Sequence, residues 1–91
     1  AVADKDSLVD AGSEVHVFPN PANSNQPLMI TWSAATKVTM VNVIDPLGRT
    51  IRTLYPKKNE LTLDINNLVP NTYFIHLYAG TSIIRSRFVK Q

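Results

Sequence analysis

Every apolar run in this chain is cut short by turn residues, and that punctuation most constrains what the chain can fold into. Glu14–Phe18 stops at Pro19-Asn20-Pro21, and Leu28–Ser33 gives way to Ala34-Ala35. Val38–Ile44 stops at Asp45-Pro46-Leu47-Gly48, and Arg49–Tyr55 at Pro56-Lys57-Lys58-Asn59. Leu61–Ile65 stops at Asn66-Asn67, Thr72–Ala79 at Gly80, and Ser82–Lys90 runs to the end. Taken from residues 15, 28, 38, 50, 61, 72 and 83, these starts recur every 10 to 13 residues. Short strands at that pitch predict an all-β sandwich or barrel of about seven strands. Even the long stretch free of Pro and Gly, Leu28–Asp45, is rich in β-branched residues, which lose side-chain freedom in a helix.

Side-chain parity sharpens the expectation. Leu28, Ile30 and Trp32 fall on one strand face, with Thr31 and Ser33 on the other. Leu61, Leu63 and Ile65 point inward, and Thr62 and Asp64 outward. In Thr72–Ala79, Tyr73, Ile75 and Leu77 alternate with Phe74, His76 and Tyr78, which predicts a strand covered on both faces. Val38–Ile44 is apolar at both parities, as a central strand would be.

Ninety-one residues supply one core. With no cysteine, neither a disulfide framework nor a cysteine-ligated zinc site is possible. Residues 1–13 are small, polar and acidic; they read as a flexible linker, with the domain at 14–91. The missing initial methionine suggests a piece of a longer protein, and Ala1–Asp10 lacks the basic and apolar regions of a signal peptide. Residues 1–14 carry four acids and one base, whereas residues 15–91 carry eight bases and three acids. That basic domain lacks the dense Lys/Arg stripe with interleaved aromatics used on nucleic acid, so no nucleic-acid partner is expected. No apolar run is long enough for direct membrane insertion as a helix.

Catalytic chemistry is not written in the chain. Only His16 and His76 are present, both on expected strands, with no nucleophile motif near them. Asp4, Asp6 and Asp10 imitate a calcium loop, but its glycine and terminal glutamate are misplaced. No enzyme activity, metal or cofactor is therefore expected.

Three segments in order carry a resemblance. They are Phe18-Pro19-Asn20-Pro21-Ala22-Asn23, then Val43-Ile44-Asp45-Pro46-Leu47-Gly48-Arg49, then Leu63 through Ile75 followed by a tail closing on Arg87-Phe88-Val89-Lys90-Gln91. Physically, the prolines of the first fix φ and make a rigid corner. The second is a turn with Asp, Pro and Gly at its first, second and fourth positions, making Val38–Ile44 and Arg49–Tyr55 a hairpin. Together, over residues 15–91, they resemble the type A C-terminal sorting domains of the type IX secretion system of Gram-negative Bacteroidota. That pattern is a YPNPA start, a D-x-x-G-R turn, an L-x-x-G-x-Y strand entry and a short basic, apolar tail. The matching positions are Pro19, Asn20, Pro21, Asp45, Gly48, Arg49 and Tyr73. Two positions depart from it: Thr72 stands where the family has glycine, and Pro46 where it has another residue.

The resemblance implies an Ig-like antiparallel β-sandwich without catalysis. It implies a signal that takes a larger protein from the periplasm through an outer-membrane translocon to the cell surface. A sortase then removes the domain, here within residues 1–13, and attaches the cargo to anionic lipopolysaccharide. The expected recognition residues are Arg85, Arg87, Phe88, Val89, Lys90 and Gln91, since a terminal strand offers an edge for strand addition. Such an edge also makes a homodimer a candidate. Two alternatives stand beside this. One is a retained binding module of the secretion machinery; the other is an Ig-like carbohydrate-binding or adhesion module using Trp32, Tyr55, Tyr73, Phe74 and Tyr78 as a platform.

Overall fold

The computed structural model describes residues 15–23 and 26–91. The linker expected at residues 1–13, the three N-terminal aspartates and the first residue of the expected domain lie outside them. Seven strands follow in order: β1 Val15–Phe18, β2 Leu28–Trp32, β3 Met40–Ile44, β4 Thr50–Leu54, β5 Glu60–Leu63, β6 Asn71–Ala79 and β7 Ser82–Lys90. All seven expected strands are present, and among the described residues there is no helix.

The strands form two antiparallel sheets, ordered β1-β2-β5 and β4-β3-β6-β7. Sequential strands β2 and β3 lie in different sheets, and so do β4 and β5, which gives the crossed connections of an Ig-like sandwich. β3 lies between β4 and β6, as its two-sided apolar pattern predicts. The β3–β4 pair is the hairpin set by Asp45–Gly48, where Gly48 takes φ +89°.

The core forms between the sheets because strand parity aims alternate side chains at it. From one sheet come Leu28, Ile30, Trp32 and Leu63; from the other come Val41, Val43, Ile75, Leu77 and Phe88, all buried. Ile65 lies just past β5 yet is 1% exposed, continuing the inward parity of Leu61 and Leu63. The expectation that β6 is covered on both faces is only half met. His76 and Tyr78 are half-buried, but Phe74 is exposed on the outer face of the sheet.

Phe88 is fully buried and stacks on Tyr73, with ring centroids 5.4 Å apart and planes 22° apart. Replacing Phe88 with Ala leaves a cavity where the two sheets meet, so it should lower stability by about 3–5 kcal/mol. Chemical denaturation measures this, and a loss below about 1 kcal/mol would show that the ring does not fill the core.

Candidate functional site

The sequence motifs lie far apart along the chain, but the fold gathers them at one end of the sandwich. β1 pairs with β2, and the chain then turns through Pro19-Asn20-Pro21, with cis peptide bonds before both prolines. It emerges on the other sheet, where Ala22 forms a parallel bridge with Lys90. The Ala22 N–H donates to the Val89 carbonyl and the Gln91 N–H donates to the Ala22 carbonyl, both at 2.7 Å. Asn20 extends this contact with its side chain. The Val89 N–H donates to Asn20 Oδ1 at 2.9 Å, and Asn20 Nδ2 lies 3.5 Å from the Arg87 carbonyl. The Asn20 amide thus stands in for a strand residue, and corner and tail close into one clasp.

The inner side of the tail is held as firmly. Lys90 is 4% exposed, and its Nζ donates to the Leu68 carbonyl at 2.6 Å. One residue on, the Tyr73 hydroxyl donates to the Val69 carbonyl at 2.5 Å. A tyrosine opening a strand and bonding back to the preceding corner is the tyrosine corner of Ig-like sandwiches. Leu68 is buried beneath it. Counted on L-x-x-G-x-Y from Leu68 to Tyr73, the glycine position falls on Asn71, the first residue of β6, rather than on Thr72, which lies inside β6 opposite Val89, where a β-branched residue suits an extended backbone. Asn71 Oδ1 accepts from the Thr72 N–H at 2.8 Å.

The Asp45 turn completes this end. Asp45 is 6% exposed, and its carboxylate accepts three hydrogen bonds: from the Leu47 N–H at 3.0 Å, the Arg49 N–H at 2.9 Å and Arg49 Nε at 2.7 Å. Arg49 is therefore bound to its own turn, although its side chain is 72% exposed. Hydrogen bonding from the Arg49 backbone is the main influence lowering the Asp45 pKa below the ordinary 3.8. Burial opposes it, and the Arg49 side chain adds to the lowering. The turn and the tyrosine corner line a groove of about 470 Å³ whose lips, Leu47 and Val69, are strongly exposed.

The six expected recognition residues divide by strand parity. Arg85, Arg87 and Val89 lie on the outer face, and Gln91 is exposed at the end. Phe88 and Lys90 face inward with Ile84 and Ser86, and their burial removes both from the surface of the folded domain. Parity counted from Phe88 would have placed Lys90 inward, despite its charge. On the outer face, Arg85 lies opposite His76 and Arg87 opposite Phe74. Desolvation, then the Arg85 charge, lowers the His76 pKa. His16 is exposed on β1. The five residues expected as a sugar platform do not make one: Trp32 and Tyr73 are core, Tyr78 is half-buried, and Tyr55 and Phe74 are exposed. Among the described residues, no group of three His, Cys, Asp or Glu is placed to hold a metal ion.

Residues 16–91 match the family described as the secretion system C-terminal sorting domain. No curated protein matches the chain. Among solved structures, one of PorZ has the same fold, with a TM-score of 0.71 at 20% identity. PorZ is described as an essential bacterial surface component of the type-IX secretion system of Porphyromonas gingivalis. The match covers 85% of this chain and 11% of the PorZ chain, so this chain corresponds to about a tenth of that protein.

Two outcomes follow from the clasp and the turn. Asn20→Ala strips the Val89 N–H of its acceptor and should destabilise the domain by about 1 kcal/mol. Hydrogen exchange should quicken at Val89 but not at Phe88, whose N–H pairs with β6; equal change at both would deny Asn20 its role. Asp45 has a lower pKa folded than unfolded, so its contribution is present above pH 3.8 and fades as pH falls further. Asp45→Asn should therefore lower the unfolding midpoint at pH 7, with the gap to wild type closing below pH 3.8. A gap constant across that range would rule out the ionised carboxylate as its source.

Proposed function

The chain belongs to the secretion system C-terminal sorting domain family, and on that premise we propose that it is a sorting signal of the type IX secretion system. Membership makes the protein that carries it secreted and directed to the cell surface. The finer steps are our proposal. The preceding protein crosses the periplasm, the outer-membrane translocon reads this domain, and a sortase cuts within residues 1–13 as it attaches the cargo.

The observation that carries this reading is the clasp. The family's first motif and its tail form one hydrogen-bonded unit, so the signal is a shaped surface rather than a loose peptide. Pro19, Asn20 and Pro21 build the clasp, Asp45, Gly48 and Arg49 build the turn, and Tyr73 builds the corner. These residues serve recognition by holding the last strand in place. The contacts to a partner fall to Arg85, Arg87, Val89 and Gln91, with Phe88 and Lys90 fixing the strand from inside. The fold shared with PorZ supports a second reading, a retained binding domain of a machinery component.

A fusion separates them. Residues 1–91 are placed after a periplasm-exported fluorescent reporter in a host with type IX secretion. Surface fluorescence with the domain cut away is the expected outcome. An intact domain at the surface would favour the retained module, and a reporter stranded in the periplasm would sink the sorting reading. Deleting Arg87–Gln91 should block export, but it also removes Phe88 from the core. The sharper variant is Arg85→Glu with Arg87→Glu, both on the outer face, which should block export while the domain stays folded.

A further inference from the structure

Among the described residues, the edge of β7 is clasped along the second half of its length. Gly80 and Thr81 form a two-residue loop, so Ala79 and Ser82 face each other as a hydrogen-bonded pair. Alternation then turns the even residues of β7 toward β6 and the N–H and C=O groups of Ile83, Arg85, Arg87 and Val89 outward. The observed bonds agree: the Val89 groups go to Asn20 and Ala22, and the Arg87 carbonyl faces Asn20 Nδ2. The outward groups of Ile83 and Arg85, and the Arg87 N–H, meet no partner strand among the described residues. The clasp therefore ends a short open stretch at a definite point.

The side chains beside that stretch have a charge pattern. Arg85 and Arg87 stand two residues apart on the same outer face, about 7 Å along the strand. Neither has an acidic partner among the described residues, where the ion pair formed is Arg49 with Asp45. Phe74, opposite Arg87, is 38% exposed, and Ile83 is 41% exposed. Phe74, Arg85 and Arg87 line one shallow hollow.

We propose that Ile83–Arg87 receives an extended acidic segment of a partner protein by strand addition, its alternate carboxylates meeting Arg85 and Arg87. This rests on the sorting reading and names the chemistry of the partner. The strand period of two places cross-strand neighbours of Arg85 and Arg87 two residues apart, so the segment carries acid-x-acid. The residue opposite Ile83 is apolar, and the main chain pairs with the open N–H and C=O groups. A second copy fits poorly. Two β7 edges paired about Arg85 would set arginine against arginine and leave Arg87 against Ile83.

Binding of labelled nonapeptides to the full 91-residue chain tests this by fluorescence anisotropy. One peptide is a threonine-rich strand former with valine, aspartate and aspartate at alternate central positions. The control replaces both aspartates with asparagine. The acidic peptide should bind about tenfold more tightly, and Arg85→Glu with Arg87→Glu should abolish that preference. Arg85→Gln with Arg87→Gln should weaken it without adding charge, and circular dichroism checks the fold of each variant. Binding should also slow hydrogen exchange at the Ile83, Arg85 and Arg87 amides. Equal affinity for the two peptides would overturn the proposal. So would binding without protection of those amides, since that is simple charge attraction, or a chain that dimerises through this edge and excludes the peptide. A fusion that fails to export while the peptide still binds would count against the sorting reading alone.

Discussion

The parallel bridge between Ala22 and Lys90 is the contact on which this end of the molecule depends. It joins a chain that has left one sheet to the outer edge of the other. Without it, β6 would be the one strand paired with β7 among the described residues. The bridge works because Pro19 and Pro21 turn the chain tightly enough to change sheets. It is lengthened because the Asn20 amide offers an acceptor and a donor where a strand would offer C=O and N–H. Ala22 is fully buried there.

From that bridge the grip passes inward. Lys90, paired with Asn71, sends its ammonium to the Leu68 carbonyl, and Tyr73 sends its hydroxyl to the Val69 carbonyl. These are two neighbouring acceptors of one corner, satisfied from β7 and from the start of β6. Phe88, stacked on Tyr73, locks the same two strands through the core. The tail is thus tied to the clasp on one side and the tyrosine corner on the other. Each tie satisfies a polar group that would otherwise be left without a partner.

The strand plan was legible because turns have a residue code. Pro19-Asn20-Pro21, Asp45–Gly48 and Gly80 each interrupt an apolar run, and the inward parity of Leu28, Ile30 and Trp32 follows from period two alone. The family motifs were legible as turns and as a resemblance, and residues 16–91 match that family. Their convergence was not legible, because the bonds that cause it end on main-chain atoms. The carbonyls of Leu68, Val69 and Val89 carry no side-chain signature. Lys90 misled for a related reason. A lysine in a basic tail looks solvated, and only its parity with Phe88 opposes that; parity and carbonyl together draw it in.

The same alternation explains why the tail divides so cleanly. A strand clasped on its outer edge and packed on its inner face keeps one face in solvent, and a period of two assigns every residue to a side. Ile84, Phe88 and Lys90 hold; Ile83, Arg85, Arg87 and Val89 are presented. Moving the register by one would bury two arginines and expose Phe88, so the core that fixes Phe88 also fixes where the arginines stand. Among the described residues, the clasp limits the open backbone to the first half of β7, and Arg85 and Arg87 lie beside it. Stability and recognition are therefore written on alternate residues of one strand, and a truncation of the tail removes both together.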